Sequence, residues 1–482
     1  AVTMSGNFSN AGTFTLNSDS DEFSSLIIGG SVTGNITYNR YVNSVGTNEW
    51  DLIGAPVSGQ SINSFVTANT STLATNGATK AIGYYNNTDN TWTNYTTSTI
   101  VGAGNFPLGK GFQMATNANG TGILSFTGAP TATNQTWTII DNDAANSGAG
   151  TRWNLVANPF PSYIYGNANA DSSHNFLTVN SDKLDDSYEA IYGYDADGSG
   201  YTVYNNTSAA LRLAPGQAFM VASDNAENDT ISFTTAMRTT TGGDDLIVGR
   251  DPIDSFELVL KLYEGDSEID HTKFYFGDGL GLDLDPGYDA GHFNQGASLM
   301  SRLVEEDEGV GLVINAMGLE SANDVVVPLE INRETGNNFR ISIGTFNIDT
   351  AINVYLEDNV QETMTLLNDQ DFELIAENEL SGVGRFFIHL TETVLSIDDK
   401  IETNYLNVFK ADVNNFITVE GLANQSNLTK LRLYTIHGKE VISATLNNNN
   451  KQLISTQGLS PGIYIVKLES GNILLTKKLF VK

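Results

Sequence analysis

The chain of 482 residues contains no cysteine, which excludes disulfide frameworks, thiolate zinc sites, iron–sulfur clusters and cysteine nucleophiles. Basic residues are also scarce. Only 24 Lys and Arg stand against 56 Asp and Glu, a formal net charge of −32 at pH 7. Because phosphate backbones are bound by basic surfaces, this charge excludes a general nucleic-acid-binding protein. The apolar runs are far shorter than the ~18 residues that a membrane-spanning helix requires, so we predict that no helix spans a membrane.

The sequence also lacks a basic leader followed by an apolar run. We therefore expect either that a signal peptide has been removed or that the sequence starts inside a longer protein. Charged residues make up 17% of the chain, less than the usual quarter, and Asn, Thr, Ser and Gly take their place. Such a composition is typical of an extracellular protein, in which cysteine is common but not required.

Charge is distributed unevenly along the chain. Residues 1–240 carry 7 basic and 18 acidic residues, residues 241–395 carry 7 and 31, and residues 396–482 carry 10 and 7. The corresponding net charges are −11, −24 and +3. This asymmetry predicts modules with different partners.

Short alternating runs dominate the sequence, among them Phe256–Tyr263, Phe339–Ile343, Phe386–Leu390 and Ile463–Leu468. Each run is rich in β-branched and aromatic residues and ends at Gly, Asn or Asp. No long stretch keeps the 3.6-residue apolar period of a helix. The sequence therefore predicts an all-β protein of tandem β-sandwich domains, with an acidic sandwich at 241–395 and a further sandwich at 396–482.

Residues 1–48 differ from this pattern. Short apolar segments at 6–16 and 26–30 are joined by polar turns and resemble the last coils of a β-solenoid. Because a solenoid needs several coils for stability, we expect that more chain once preceded Ala1.

The next two hundred residues contain an internal duplication. The blocks at 50–58, 81–85, 92–95, 109–112 and 125–126 recur in the same order at 153–162, 190–194, 201–204, 216–219 and 232–233. The offset stays between 103 and 109 residues throughout. We therefore predict two homologous β units, within 49–150 and 151–240.

Two aromatic residues lie beside the predicted hairpin tips of these units. Trp92 and Tyr201 occupy equivalent positions of the repeat. The sequence leaves two interpretations open, a core position or a platform on which a sugar ring stacks.

Two acidic loops have the composition of calcium sites. Asp195 and Asp197 alternate before a Gly turn, although the downstream Glu of a calcium loop is missing. Asp283, Asp285 and Asp289 lie on a Gly-rich loop in the most acidic region. These carboxylates would either bind calcium or remain solvated.

Evidence for catalysis is thin. The five His residues share no spacing, and neither a Gly-x-Ser-x-Gly nor a His-Glu-x-x-His pattern occurs. The sequence leaves open whether two carboxylates form a catalytic pair for glycoside hydrolysis, because the distance between them in the fold is not visible in a sequence. We predict that the chain is not an enzyme and assign it no cofactor other than the calcium considered above.

The C-terminal region carries three ordered blocks. Leu433-Tyr-Thr-Ile-His-Gly-Lys-Glu-Val441 is followed by Ser460-Pro-Gly-Ile-Tyr-Ile-Val-Lys-Leu468 and by the Lys-rich Leu475–Lys482. Together they resemble the type A C-terminal sorting domain used by the type IX secretion system of Bacteroidetes. The residues that carry this signal are Gly438, Lys439, Val441, Pro461, Gly462, Tyr464, Lys477, Lys478 and Lys482. The lysines suit an acidic receptor surface. The two-residue alternation predicts one apolar face of a small sandwich, formed by Tyr434, Ile436, Tyr464, Val466 and Leu468. The alternative is a plain β-sandwich whose lysines protect a sheet edge.

The resemblance implies export across the outer membrane. Residues 396–482 would be recognised by the type IX translocon and by outer-membrane shuttle and attachment proteins, and the protein would be released or anchored at the surface. Other segments resemble large flavobacterial cell-surface, adhesin-like proteins. Asp229-Thr230 and Asp349-Thr350 resemble the short O-glycosylation sequon of these bacteria, with Thr230 and Thr350 as acceptors.

We therefore predict a structural or adhesive protein of the cell surface. The alternatives are the non-catalytic C-terminal part of a secreted polysaccharide-degrading enzyme and a carbohydrate-binding protein that contacts surface glycans.

Overall fold

The computed structural model describes residues 1–45, 50–118, 121–143, 150–195, 200–225, 228–243, 256–293, 296–349, 351–392, 406–410, 416–422, 425, 427–448, 451–471 and 473–481. Strands predominate in these ranges, which confirms the predicted all-β class. None of the helices formed there is long and apolar enough to cross a membrane. The chain forms two compact units, Ala1–Ile253 and Asp254–Lys482.

The first forty residues form two stacked turns of parallel strands. Strands β1 (Val2–Met4), β2 (Phe8–Ser9) and β3 (Thr15–Asn17) pair in parallel with β4 (Leu26–Ile28), β5 (Val32–Thr33) and β6 (Ile36–Tyr41), respectively. Parallel ladders between successive coils are the pattern predicted for a solenoid-like segment. Leu16 and Tyr38 are buried in the same core as Phe65, so this segment shares its core with the first repeat.

The first repeat combines two sheets with one short helix. The sheets have the orders β11–β10–β12–β7 and β3–β6–β13–β8. The Ser61 hydroxyl accepts the Ser64 amide at the start of the helix, and Ile62, Phe65 and Val66 form its buried face. The elements are β7 (Asp51–Ile53), β8 (Val57–Ser58), α1 (Ile62–Ala68), β9 (Thr75–Asn76), β10 (Thr79–Asn86), β11 (Thr91–Thr96), a 3-10 turn (Ile100–Gly102), β12 (Phe112–Met114) and β13 (Ile123–Pro130).

The second repeat reproduces the main sheet of the first, while its remaining strands form two smaller sheets. Its main sheet has the order β18–β17–β20–β15, the equivalent of β11–β10–β12–β7. The elements are β14 (Gln135–Ile139), β15 (Trp153–Ala157), β16 (Tyr163–Tyr165), α2 (Phe176–Asn180), 3-10 turns (Ser181–Lys183, Asp186–Tyr188), β17 (Ile191–Asp195), β18 (Gly200–Tyr204), β19 (Arg212–Leu213), β20 (Ala218–Ala222), β21 (Asp229–Phe233), a 3-10 turn (Thr235–Met237) and β22 (Arg238–Thr239).

An asparagine clamp is common to both repeats. The Asn69 side chain accepts the Ser125 amide at 2.8 Å and donates to the Ser125 carbonyl at 3.1 Å. The Asn180 side chain makes the same two bonds to Ser232, at 2.7 and 3.1 Å. Each clamp ties the end of a helix to a strand, so the duplication extends to individual hydrogen bonds.

The two repeats also exchange backbone bonds. The Gly54 amide donates to the Gly216 carbonyl at 2.7 Å, and the Ala157 amide donates to the Gly109 carbonyl at 2.9 Å. Gly54 is equivalent to Ala157, and Gly109 to Gly216, so the contact is reciprocal. Gly109 and Gly216 both adopt positive φ, 85° and 70°, a conformation that favours glycine.

Residues 256–392, which we call the acidic sandwich, form an 11-stranded sheet around one core. The order is β31–β30–β33–β28–β26–β27–β24–β23–β29–β32, with β25 paired to β27. Both halves of the sheet contribute to the core, for example Leu260 and Ile388. The elements are β23 (Glu257–Glu264), β24 (Ser267–Gly277), β25 (Ala290–Gly291), β26 (Ser298–Ser301), β27 (Leu312–Gly318), a 3-10 turn (Leu319–Asn323), β28 (Asp324–Asn332), β29 (Asn338–Asn347), β30 (Asn353–Asp358), β31 (Thr363–Leu366), β32 (Phe372–Ile375) and β33 (Phe386–Thr391).

Residues 406–481, which we call the C-terminal module, form two sheets with a shared core. The sheet orders are β34–β35–β38 and β37–β36–β39–β40. Ile417 and Val419 from the first sheet are buried with Leu433 and Val466 from the second. The strands are β34 (Asn407–Phe409), β35 (Phe416–Glu420), β36 (Thr429–Thr435), β37 (Glu440–Leu446), β38 (Lys451–Ser455), β39 (Gly462–Ser470) and β40 (Ile473–Val481).

Candidate functional site

The C-terminal module places most of its predicted signal residues on one sheet. Tyr464, Val466 and Leu468 alternate inward along β39, as the sequence predicts. Tyr434 and Ile436, which the alternation also placed on this apolar face, do not lie there. Tyr434 is half-buried and Ile436 is 63% exposed. Leu431 and Leu433 point inward instead, and the β36–β37 ladder shifts register between Leu433 and Tyr434.

The predicted turn residues have the geometry that their types favour. Gly438 adopts φ 79° and its amide donates to the Thr435 carbonyl at 2.9 Å, while the Thr435 amide donates to the Lys439 carbonyl. Lys439 is exposed and Val441 is half-buried. At the other turn Pro461 is exposed and Gly462 begins β39.

The lysines of the last strand point to opposite faces. Lys478 is exposed on the outer face of the sheet. Lys477 is half-buried, because its Nζ donates to the Asp307 carbonyl at 3.0 Å and lies 3.4 Å from Glu308 Oε1. Lys482 lies outside the described residues. Because side chains alternate along a strand, Lys477 and Lys478 lie on opposite faces of the sheet, and of these two Lys478 is the one accessible to an acidic receptor.

The outer face of the four-stranded sheet carries apolar and basic side chains. Ile463 and Phe480 are directly paired across β39 and β40, and both are exposed. Lys478 lies opposite Ile465 in the next position of the same ladder. Strand β40 ends the sheet order, so one of its edges has no strand partner among the described residues. Exposed apolar patches rimmed by polar residues mark protein interaction surfaces.

The acidic loop of the sandwich uses two of its three candidate calcium ligands internally. Asp289 is buried and accepts the amides of Ala316 at 2.6 Å and Asp285 at 2.7 Å. Asp285 accepts the Gly281 amide at 2.7 Å, and Asp283 is exposed. Burial raises the pKa of Asp289 to about 7. No group of three metal-type ligands occurs in the described part of the chain.

The second calcium candidate lies largely outside the described residues. Asp197 falls in an undescribed range, and for Asp195 only the backbone, at the end of β17, is described. Of the two predicted glycosylation positions, Thr230 is exposed on β21, whereas Thr350 lies outside the described residues.

The two candidate stacking residues occupy equivalent positions in the structure too. The Trp92 ring packs on Tyr85 with centroids 5.2 Å apart, and the Tyr201 ring packs on Tyr194 at 5.3 Å. Trp92 is 37% exposed. Burial raises the pKa of Tyr201, and the nearby hydroxyls of Tyr194 and Tyr85 raise it further. Trp92 is thus the more accessible ring of the two.

Sequence reasoning missed a buried arginine that contacts three carboxylates. Arg302 is 1% exposed and contacts the carboxylates of Asp307, Glu330 and Glu420. The signal available in the sequence was an isolated Arg in a region of strongly negative charge. The identity of its partners depends on the tertiary fold.

The family comparison agrees with the geometry of the C-terminal module. A family model described as Secretion system C-terminal sorting domain matches residues 411–482. The protein is therefore a secreted type IX cargo, exported across the outer membrane to the cell surface or the extracellular space. A second model, described as Domain of unknown function (DUF8693), matches residues 1–389, more than half of the chain. The chain belongs to that family. No curated protein matches it.

Proposed function

We propose that residues 1–392 form a non-catalytic structural or adhesive part and that the export machinery binds the outer face of the sheet β37–β36–β39–β40. A translocon or shuttle protein with an apolar, acidic surface complements this face. Such a partner would contact Ile463, Phe480 and Lys478 together.

The observation that supports this proposal best is the exposure of two directly paired apolar side chains, Ile463 and Phe480, on one face of the sheet. Phe480 is 55% exposed, although the same strand buries Leu479 and Val481. Leaving a Phe in water forgoes about 2 kcal/mol of burial free energy, which binding would recover. The basic residues of the same face add electrostatic attraction to an acidic partner.

Deletion of residues 396–482 tests the export role. The full chain and the truncated chain would be expressed behind a periplasmic signal peptide in a bacterium with a type IX system. We expect the truncated chain to accumulate in the periplasm, as measured by cell fractionation and immunoblotting. Normal secretion of the truncated chain would contradict the proposal.

A reporter protein provides the complementary control. A periplasmic reporter fused to residues 396–482 should reach the surface or the medium, whereas the reporter alone should not. This pair separates a role in export from a general loss of stability in the truncated chain.

A second candidate function is carbohydrate binding, favoured by the exposed ring of Trp92. Aromatic faces stack on the apolar faces of sugar rings, and the Trp92 ring packs on Tyr85 at an interplanar angle of 51°. A glycan array would compare the wild type with Trp92→Ala and Tyr201→Ala. Binding that is lost in Trp92→Ala supports this function, and an array without a specific signal removes it.

A further inference from the structure

The loop at 302–309 of the acidic sandwich binds the C-terminal module through a buried arginine. Arg302 donates to Asp307 through Nε at 3.1 Å and Nη2 at 2.9 Å, and to Glu330 through Nη1 at 3.0 Å. Its Nη2 also lies 3.3 Å from Oε2 of Glu420, which belongs to β35 of the C-terminal module. The cation is therefore surrounded by carboxylates from both parts of the chain.

Glu420 is bound in turn by its own module. It is 0% exposed, and its Oε1 lies 3.2 Å from Lys451 Nζ. A buried carboxylate is strongly disfavoured without cations, and Arg302 and Lys451 offset part of that cost. Burial nevertheless raises the pKa of Glu420, so the two cations do not fully compensate it. The Arg302–Glu420 contact forms only when the C-terminal module occupies this position.

Two further groups of the C-terminal module bind the same loop. The Asn407 side chain donates to Asp307 Oδ2 at 2.8 Å and to its carbonyl at 3.3 Å. Lys477 donates to the same carbonyl and lies near Glu308. Asp307 thus contacts Arg302, Asn407 and Lys477, and connects the two parts.

The loop also fits the module in shape. Gly309 adopts φ 88°, and a Cβ atom there would approach the Phe409 ring to 2.0 Å. Phe409 is buried, with its ring centroid 5.5 Å from the Arg302 guanidinium carbon. Glycine at 309 is therefore required for the aromatic ring to approach the loop backbone.

We propose that residues 302–309, with Glu330, form a receptor surface for this chain's own C-terminal module. The surface holds Lys477 against the sandwich and leaves Lys478 and Phe480 on the opposite, exposed face. The module is therefore presented to partners in one orientation, rather than carried as a freely tumbling appendage. This proposal does not depend on the proposed export function, because the contact can be tested in the purified chain without the export machinery.

The proposal is tested by cleaving the full-length chain between the acidic sandwich and the C-terminal module and measuring whether the two fragments remain associated. A specific protease site would be inserted between residues 396 and 403, and the cut protein would be analysed by size-exclusion chromatography at 5 µM. We expect the two fragments to co-elute. Separate elution of the wild-type fragments, each with a β-type circular dichroism spectrum, would overturn the proposal.

Lys477→Gln and Lys478→Gln form a matched pair of variants. Both remove one charge from neighbouring positions of β40, but only Lys477 contacts the loop. We expect Lys477→Gln to weaken the association of the fragments about tenfold and Lys478→Gln less than twofold. Asn407→Ala should weaken it about tenfold as well. Equal effects of the two lysine variants would contradict the assigned interface.

Salt distinguishes a buried site from general attraction between an acidic and a basic surface. At 1 M salt, exposed charges are screened within about 3 Å, whereas a buried ion pair is screened far less. We expect the cut fragments to remain together in 1 M NaCl. Dissociation of wild-type fragments under these conditions would show that only surface charge holds them, which would overturn the proposal.

Discussion

In the acidic sandwich several carboxylates turn inward, whereas the C-terminal module carries lysines on an exposed sheet face. Asp289 binds backbone amides, and Asp358 is buried against Arg385 with Oδ–N distances of 2.9 and 2.7 Å. In the module, Lys430 and Lys478 lie on the outside of β36 and β40. The two regions therefore use charge for different purposes.

The difference lies in what a charge contacts. A carboxylate that accepts amides from its own loop fixes the loop conformation and leaves little capacity for a ligand. A lysine on an open face has no such internal role, so its attraction remains available to a partner. We infer that the buried carboxylates of the sandwich serve internal order, whereas the exposed lysines of the module, Lys430 and Lys478, are available for recognition.

The largest expected effect concerns Asp289. Replacement by Ala leaves the buried amides of Asp285 and Ala316 without their acceptor, at a cost of 1–3 kcal/mol for each unsatisfied group. We expect Asp289→Ala to lower the free energy of unfolding of the sandwich by about 3 kcal/mol in urea titrations. Asp283→Ala, the exposed control, should change it by less than about 0.5 kcal/mol. Equal effects would show that the inward carboxylate has no special role.

The stability contribution of Asp289 should also depend on pH. Burial raises the pKa of Asp289 to about 7, so the folded state holds this proton more tightly than the unfolded state does. Its contribution to stability is present below pH ~4 and is lost as the pH rises to about 7, at up to about 1.4 kcal/mol per pH unit. Relative to Asp289→Asn, the wild type should therefore lose stability between pH 5 and 7. A constant difference between these two proteins over that range would contradict the raised pKa.

The repeat shows which parts of the fold could be predicted from the sequence and which could not. Five ordered blocks predicted two equivalent units, and the main sheets in the two segments have equivalent strand orders. The sequence does not predict the Asn69 and Asn180 clamps, because a single Asn in an Asn-rich sequence carries no local signal. Only the fold brings each of them to its serine, at a separation of more than fifty residues.

The geometry of the C-terminal module could be predicted from the sequence in part. The turn at Gly438 and the inward face of β39 follow from glycine geometry and from the two-residue period of a strand. The same period indicates that Lys477 and Lys478 face opposite ways, but not which of them faces inward. That choice depends on Asp307, which lies 170 residues away in the sequence. The position of Ile436 was mispredicted because this residue lies beyond the end of β36, in the turn before Gly438, where the two-residue alternation of a strand no longer applies.

A smaller effect is expected on the exposed face of the module. Phe480→Ala should weaken binding to the export partner about tenfold, equivalent to about 1.4 kcal/mol, because an anchoring ring is removed. Leu453→Ala is the control, since Leu453 is 54% exposed on β38 of the opposite sheet. The amount of each full-length variant retained in the periplasm would be compared. Equal retention would mean that the machinery does not distinguish the two faces.

The smallest expected effect is that of calcium on the sandwich. If Asp283, Asp285 and Asp289 formed a cation site, millimolar calcium would stabilise the folded state by mass action and raise the melting temperature. Asp289 and Asp285 already accept backbone amides, which leaves Asp283 as the exposed carboxylate of the three. Breaking those amide hydrogen bonds would cost more free energy than calcium binding by one exposed carboxylate would supply. We therefore expect a shift below about 1 °C at 5 mM CaCl2 in a thermal scan. A larger shift that disappears in Asp283→Asn would show that the loop rearranges around a cation, and that acidic charge in the sandwich also serves recognition.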